Sequence, residues 1–177
     1  MNNIVLIGMS GVGKTTVGKY IASQLSMSFV DTDEIIINRS GTTISNIFNK
    51  FGEEYFRDLE KQVVEEVSKY NDTVISTGGG VILNRINIDN LKQNGRVFLL
   101  EASIDTLYSN LKDNLESKDH RPLLDGSGLR ARIEKMYNDR KELYISSADY
   151  IIHIDEKAVE EIGDEIISIF NRLNSCS

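Results

Sequence analysis

The stretch Ile4-Val5-Leu6-Ile7-Gly8-Met9-Ser10-Gly11-Val12-Gly13-Lys14-Thr15 decides the fold of this chain. Four apolar residues in a row, without alternation, suit a strand covered on both faces. The glycines Gly8, Gly11 and Gly13 follow, and Lys14-Thr15 opens a segment in which Val17, Ile21 and Leu25 recur at helical spacing. Strand, glycine-rich turn and helix start are the context that turns such a pattern into a physical claim. The glycines let the backbone curl until its N–H groups converge on an anion. The helix that follows aims its positive dipole end at the same point. Lys14 supplies a charge for the terminal phosphates of a nucleotide, and the Thr15 hydroxyl suits Mg²⁺, a hard ion that prefers oxygen.

Outward from this motif, short apolar runs alternate with longer stretches of helical period. The predicted strands are Ile4–Ile7, Phe29–Val30, Thr73–Ser76, Val97–Leu100 and Tyr150–Ile154. Between them, Ile44, Ile47, Phe48 and Phe51, then Leu59, Val63 and Val67, predict a long helical stretch broken at Gly52. Leu107 and Leu111 predict another helix, Leu129, Ile133 and Met136 a further one, and Ile162, Ile166, Ile169 and Leu173 the last. Strand and helix in alternation mean an α/β fold with a parallel sheet, whose ligands gather at the carboxyl ends of the strands. The stretch Asn110–Gly128 has no clear period, carries many charges and holds the only proline, Pro122. It reads as a long loop or lid.

Composition narrows the class. A chain of 177 residues has room for one sizeable core and is small for two domains. Hydrophobic residues make up 40% and charged residues 27%, as in soluble globular proteins. No apolar run reaches the roughly 20 residues of a membrane span, and no basic segment or cleavage site marks a secretory signal. The single cysteine, Cys176, has no partner within the chain, so a reducing cytoplasm is expected and the sequon Asn71-Asp72-Thr73 is accidental. The net charge of −7 opposes broad binding to a nucleic-acid backbone. It leaves room for a local basic site that takes a small anion.

Further candidates stand at the predicted strand ends. Asp31 and Asp33 flank Thr32 just past the second strand. On an extended segment both carboxylates point to one side and face the phosphate crevice. One can hold magnesium through water while the other orients or deprotonates an attacking hydroxyl, the roles phosphoryl transfer requires. The same residues also suit a helix start, with Asp33 capping the segment from Glu34. Gly78-Gly79-Gly80 closes the third strand. Consecutive glycines suit either a close approach of ligand to backbone or a tight turn. Arg57, Arg121 and Arg140 can each grip a carboxylate or phosphate in a bidentate fork, or lie on the surface. His120 and His153 have no spacing that suggests zinc.

Taken together, the glycine-rich loop, Asp31-Thr32-Asp33, the segment Phe56-Arg57-Asp58-Leu59-Glu60, Thr77-Gly78-Gly79-Gly80, Arg121-Pro122-Leu123-Leu124 and the later Arg140 resemble the shikimate kinase family over nearly the whole chain. The resemblance implies a three-layer P-loop kinase fold, a five-stranded parallel sheet flanked by helices, with a lid at about 110–128 and a substrate-binding helical segment at about 32–61. It implies ATP-dependent phosphorylation of the 3-hydroxyl of shikimate, with ATP and Mg²⁺ bound. Gly11, Val12, Gly13, Lys14, Thr15 and Thr16 would bind the nucleotide, and Thr15 and Asp31 would serve the metal. Asp33 would hold the reacting hydroxyl, as base or as orienting group. Arg57, Gly79 and Arg140 would bind shikimate, with Arg57 positioned by Glu60 and Phe48 and Phe56 lining the pocket. Arg121 would come down with the lid onto the transferring phosphate. The family also carries a basic residue used against adenine shortly before its Arg-Pro-Leu-Leu segment, and here Lys112 and Lys118 both compete for that place. The adenine-contacting loop is expected near Ile154-Asp155-Glu156. A monomer is expected, with no nucleic acid and no membrane among its partners.

Three other readings fit the loop alone. A kinase of another small hydroxylated acid, such as gluconate, would keep the same nucleotide half. A nucleotide-dependent switch would not need an acceptor site, but no Asn-Lys-x-Asp guanine-reading signature occurs in the chain. A catalytically dead ATP-binding subunit is opposed by the presence of Lys14, Asp33 and Arg57.

Overall fold

The structure is a computed structural model that describes residues 2–116 and 126–175, with side chains over 2–113 and 128–175. Five parallel strands form one sheet in the order β2-β3-β1-β4-β5. They are β1 (Asn3–Ile7), β2 (Ser28–Asp31), β3 (Thr73–Ser76), β4 (Gly95–Glu101) and β5 (Tyr150–His153). Every residue of β1 is buried, which is possible only when both faces of the central strand are covered. Its register sets Leu6 opposite Ser76 of β3 and Phe98 of β4. The chain builds β2 and β3 on one side of β1, then crosses to build β4 and β5 on the other. The place where the direction reverses is where an open α/β sheet leaves a crevice at its carboxyl edge.

Among the described residues the helices are α1 (Lys14–Leu25), α2 (Thr32–Ser40), α3 (Ile44–Val67), α4 (Arg85–Asn94), α5 (Ile104–Glu116), α6 (Gly126–Ser147) and α7 (Val159–Ser175). A short 3₁₀ turn, Val81–Leu83, precedes α4. α1 packs with α7, α3 with α4, and α5 with α6. The expected break in the long helical stretch is real. Gly52 takes φ 85° and ψ 171° inside α3, a conformation open essentially to glycine alone. The expected substrate segment at 32–61 therefore comprises α2 and the first part of α3.

Three expectations change. Asn110–Gly128 is not a loop throughout, since α5 runs on to Glu116 and α6 begins at Gly126. Lys112 and Asp113, which blurred the period, are exposed positions of the helix and bury no stripe, and the only proline of the sequence comes after Glu116. Residues 117–125, with His120, Arg121 and Pro122, lie outside the described residues, as does Cys176. Second, α4 is a helix that the apolar pattern alone did not call. Only Ile88 and Leu91 bury a short apolar stripe on it, and the Asn84 side chain caps it through the Ile86 N–H. Third, Asp31 and Asp33 do not share an extended segment. β2 ends at Asp31, and Asp33 already lies in the first turn of α2.

Candidate active site

The phosphate loop follows from its backbone. Gly8, Gly11 and Gly13 have φ of 145°, 82° and 92°, values that side chains rarely adopt. Gly13 stands at the start of α1 with no side-chain cap on it, so the N–H groups of the first turn point open toward an anion. Lys14 is only 8% exposed, and its Nζ donates to the carbonyls of Gly8 (2.8 Å) and Met9 (2.9 Å). Burial lowers its pKa to about 8, against the pull of Asp33 and Asp31. Thr15 Oγ1 donates to Asp31 Oδ2 at 2.8 Å. The other oxygen of Asp31 accepts from the N–H groups of Asp33 (3.0 Å) and Glu34 (3.4 Å). Asp31, not Asp33, is therefore the cap of α2. The cap frees Asp33 to turn its carboxylate elsewhere.

Asp33 turns it toward the glycine triplet. A Cβ on Gly78 would stand 2.6 Å from Asp33 Oδ1, so that close approach requires glycine. The same oxygen is buried and has no hydrogen-bond partner among the described residues. Burial pushes the Asp33 carboxyl up to about 6, with the Asp31 charge adding to the rise and Lys14 and Arg57 opposing it. Thr32, fully buried, anchors the triplet by accepting from the Gly78 N–H at 3.1 Å.

Arg57 and Arg140 stand behind the triplet. Arg57 donates to Glu53 Oε1 and Glu60 Oε2, both at 3.0 Å, and its guanidinium lies 5.2 Å from the Phe56 ring centre and 6.0 Å from that of Phe48. Glu60 is 1% exposed, and burial raises its pKa against the opposing charge of Arg57. A side chain at Gly80 would strike the Arg57 guanidinium. Arg140 Nη1 reaches the Gly79 carbonyl at 3.5 Å, and the Tyr144 hydroxyl donates to the same oxygen.

Most of these groups meet in one crevice of about 650 Å³. Gly11, Gly13, Lys14, Thr15, Thr16, Asp31, Asp33 and Gly79 line it, joined by Ser10, Ser76, Thr77, Asn110 and Asp113. Val12 is not among them. Its side chain is buried in the core, and its N–H closes the loop on the Met9 carbonyl at 3.3 Å. Neither Arg57 nor Arg140 lines it: Arg140 reaches the carbonyl of Gly79, which does, while Arg57 stands beside Gly80, which does not. Arg121 is outside the described residues.

The family model for shikimate kinase matches residues 10–171. The chain belongs to the shikimate kinase family. It is 42% identical over 173 residues to the shikimate kinase of Caldanaerobacter subterraneus subsp. tengcongensis, covering 98% of each chain. It is 41% identical over 175 residues to that of Thermodesulfovibrio yellowstonii, covering 99% of this chain and 98% of the other. Among solved structures, a shikimate kinase from Acinetobacter baumannii in complex with shikimate superposes with a TM-score of 0.87 at 32% identity, over 97% of this chain and 94% of that one. A gluconokinase from Sinorhizobium meliloti shares the fold at TM-score 0.58 and 18% identity.

As a shikimate kinase the chain is a phosphotransferase that uses ATP. Several residues around the crevice had no motif to announce them. Tyr144 acts through a single long-range hydrogen bond, and Asn110 donates to the Gly11 carbonyl at 2.9 Å from a helix remote in sequence. Tyr144 did carry one signal, its place four residues after Arg140 on one helix face. For a divalent ion, the described residues hold no cluster of three or more His, Cys, Asp or Glu. Magnesium bound with nucleotide needs only one or two protein oxygens, since phosphates and water supply the rest. The Thr15 hydroxyl and the Asp31 carboxylate, 2.8 Å apart beside the phosphate loop, fit that requirement.

Proposed function

We propose that this chain transfers the γ-phosphoryl group of ATP to the 3-hydroxyl of shikimate, giving shikimate 3-phosphate and ADP on the route to chorismate. The observation that carries this reading is Asp33. Its carboxylate faces the same crevice as Lys14, keeps one buried oxygen without a partner among the described residues, and feels the charge of Arg57, with Arg140 at the Gly79 carbonyl on the same crevice. That arrangement suits an acceptor with a hydroxyl at one end and a carboxylate at the other.

Lys14 and the N–H groups around Gly11–Thr16 bind the phosphates, with Lys14 exchanging its two loop carbonyls for phosphate oxygens. Thr15 and Asp31 would hold Mg²⁺, which when bound would neutralise charge on the phosphates. Arg57 and Arg140 take the shikimate carboxylate, and Gly79 presents backbone to the ring. Asp33 receives the hydroxyl proton, or holds it in line, as the oxygen forms its bond to the γ-phosphorus and the bond to the bridging oxygen of ADP breaks. Arg121 is assigned to the transferring phosphoryl from the family resemblance, where such an arginine contributes on the order of 10³-fold or more. We further propose a cytoplasmic monomer. Among the described residues no helix is long and apolar enough to cross a membrane.

The test is an ADP-release assay with Mg·ATP against shikimate, gluconate, nucleoside monophosphates and no acceptor. Rapid release with shikimate alone is expected. Turnover on gluconate but not shikimate would overturn the substrate, and ADP release indifferent to every acceptor would overturn the kinase reading.

A further inference from the structure

The glycine triplet poses a physical problem. Three adjacent glycines are the softest backbone a chain can carry, yet Gly79 lines the crevice where a substrate must be held to within fractions of an ångström. Local hydrogen bonds fix only its flanks. The Gly78 N–H donates to Thr32 Oγ1, the Gly78 carbonyl accepts from Val81, and the Gly80 carbonyl accepts from Leu83. What remains is the peptide between Gly79 and Gly80. Its carbonyl is held from the other side of the molecule, by the Tyr144 hydroxyl and, more loosely, by Arg140 at 3.5 Å.

Tyr144 is well made for this duty. It is 2% exposed and among the largest fully buried side chains, so its ring cannot wander. Burial raises its pKa against the pull of Arg140, which keeps the proton on the hydroxyl and the hydroxyl a donor. The position of Gly79 is boxed in on the opposite side by the phosphate loop, where a Cβ would stand 3.0 Å from Ser10 Oγ and 3.1 Å from Ser10 N.

We infer that Tyr144 is a positioning residue for the acceptor half of the site: its hydroxyl pins the Gly79 carbonyl, and with it the set of the glycine triplet and of the Arg140 guanidinium that shares that oxygen. Without the hydroxyl, Arg140 becomes the sole partner of the carbonyl, and a guanidinium drawn to it is drawn from the substrate carboxylate. A buried carbonyl that loses its better donor leaves a polar group poorly satisfied, which is the larger part of what such a deletion costs. The effect falls on shikimate and spares ATP, because the phosphate loop keeps all of its own hydrogen bonds.

This inference rests on the proposed shikimate reaction, so its test has one arm that needs no substrate. Tyr144→Phe keeps the ring and removes only the hydroxyl. Ile133→Val, a packing change in the buried face of the same helix, serves as control. In the kinase assay Tyr144→Phe is expected to raise KM for shikimate on the order of tenfold, the loss of one buried hydrogen bond, with KM for ATP within about twofold of wild type. In the ligand-free protein, ¹⁵N relaxation is expected to show Gly79 and Gly80 amides falling from the rigid range, about 0.85, toward 0.6 in Tyr144→Phe and not in Ile133→Val. Unchanged order parameters in Tyr144→Phe overturn the pin whatever the enzyme's substrate. An unchanged KM for shikimate, equal rises for both substrates, or the same rise in Ile133→Val overturns the positioning role. A wild-type enzyme inert toward shikimate would sink the proposed reaction instead, and the relaxation arm would still decide the pin.

Discussion

At the scale of single residues, Asp33 is held in a place that resists its charge. Its pKa rises from 3.8 to about 6, chiefly through burial, so the fold favours the neutral carboxyl while the proposed role as base needs the charged one. The sign of the linkage follows. Below 3.8 the group is neutral whether the chain is folded or not, and it takes nothing from stability. Between 3.8 and about 6 the unfolded chain ionises first, and stability drains away as pH rises. Above that the penalty is constant, with a ceiling of about 3 kcal/mol that partial exposure trims to roughly 1–2 kcal/mol. Asp33→Asn should therefore be more stable than wild type at pH 7.5, by about 2–8 °C in Tm, and the gain should vanish near pH 3.5. The same variant should lose about 10²–10⁴-fold in kcat with ATP binding retained. Thermal melts at the two pH values and nucleotide titration check both halves. A variant that is less stable at neutral pH, or that loses nucleotide affinity in step with turnover, would assign Asp33 to the fold or the metal.

At the scale of elements, α3 shows how local chemistry sets up a site. Gly52 interrupts it one turn before Phe56 and Arg57, so the kink sets how Phe48, ahead of the break, meets the Phe56 ring at 4.8 Å and the Arg57 guanidinium at 6.0 Å. No atom lies within 4 Å of where a Cβ on Gly52 would sit, so any cost of Gly52→Ala comes from backbone strain alone. That strain is of order 1–3 kcal/mol. Gly52→Ala should lower Tm by about 2–4 °C per kcal/mol and raise KM for shikimate more than KM for ATP. A Tm equal to wild type would show that the chain relieves the conformation elsewhere. This break was legible because a lone glycine inside a strong helical period has few other uses. α4 was not, because a helix with two buried apolar residues leaves no periodic stripe to read. The far end of α5 was not either, because polar residues continue a helix as readily as they form a loop. The cap of α2 falls on Asp31 rather than Asp33 because strand end and helix start differ by a single residue, and only the Asp31 hydrogen bonds decide between them.

At the scale of the molecule, the sheet order brings three loops to one edge. The phosphate loop leaves β1, Asp31 ends β2 and the triplet leaves β3, and these strands are neighbours in the order β2-β3-β1. The phosphate grip was legible because Gly11 to Thr16 lie within one short motif, whose spacing is the mechanism, while the adenine side has no such motif. The proposed acceptor half was only partly legible: Arg57 and Glu60 stand three residues apart on one helix, whereas Arg140 comes from a distant helix and meets the Gly79 carbonyl it shares with Tyr144 only across the fold. The halves meet where Gly79 packs on Ser10. A ligand that stills the phosphate loop therefore stills one wall of the acceptor site, and the second ligand has less order left to impose. Each ligand alone at about 100 times its Kd should stabilise by about 2.7 kcal/mol. With ADP and shikimate together the rise in Tm should exceed the sum of the separate rises by about 3 °C or more, the signature of a coupling of roughly 1 kcal/mol. Calorimetry with each ligand and with both measures it directly, and strict additivity would mean that the contact at Gly79 joins the two halves in space but not in energy.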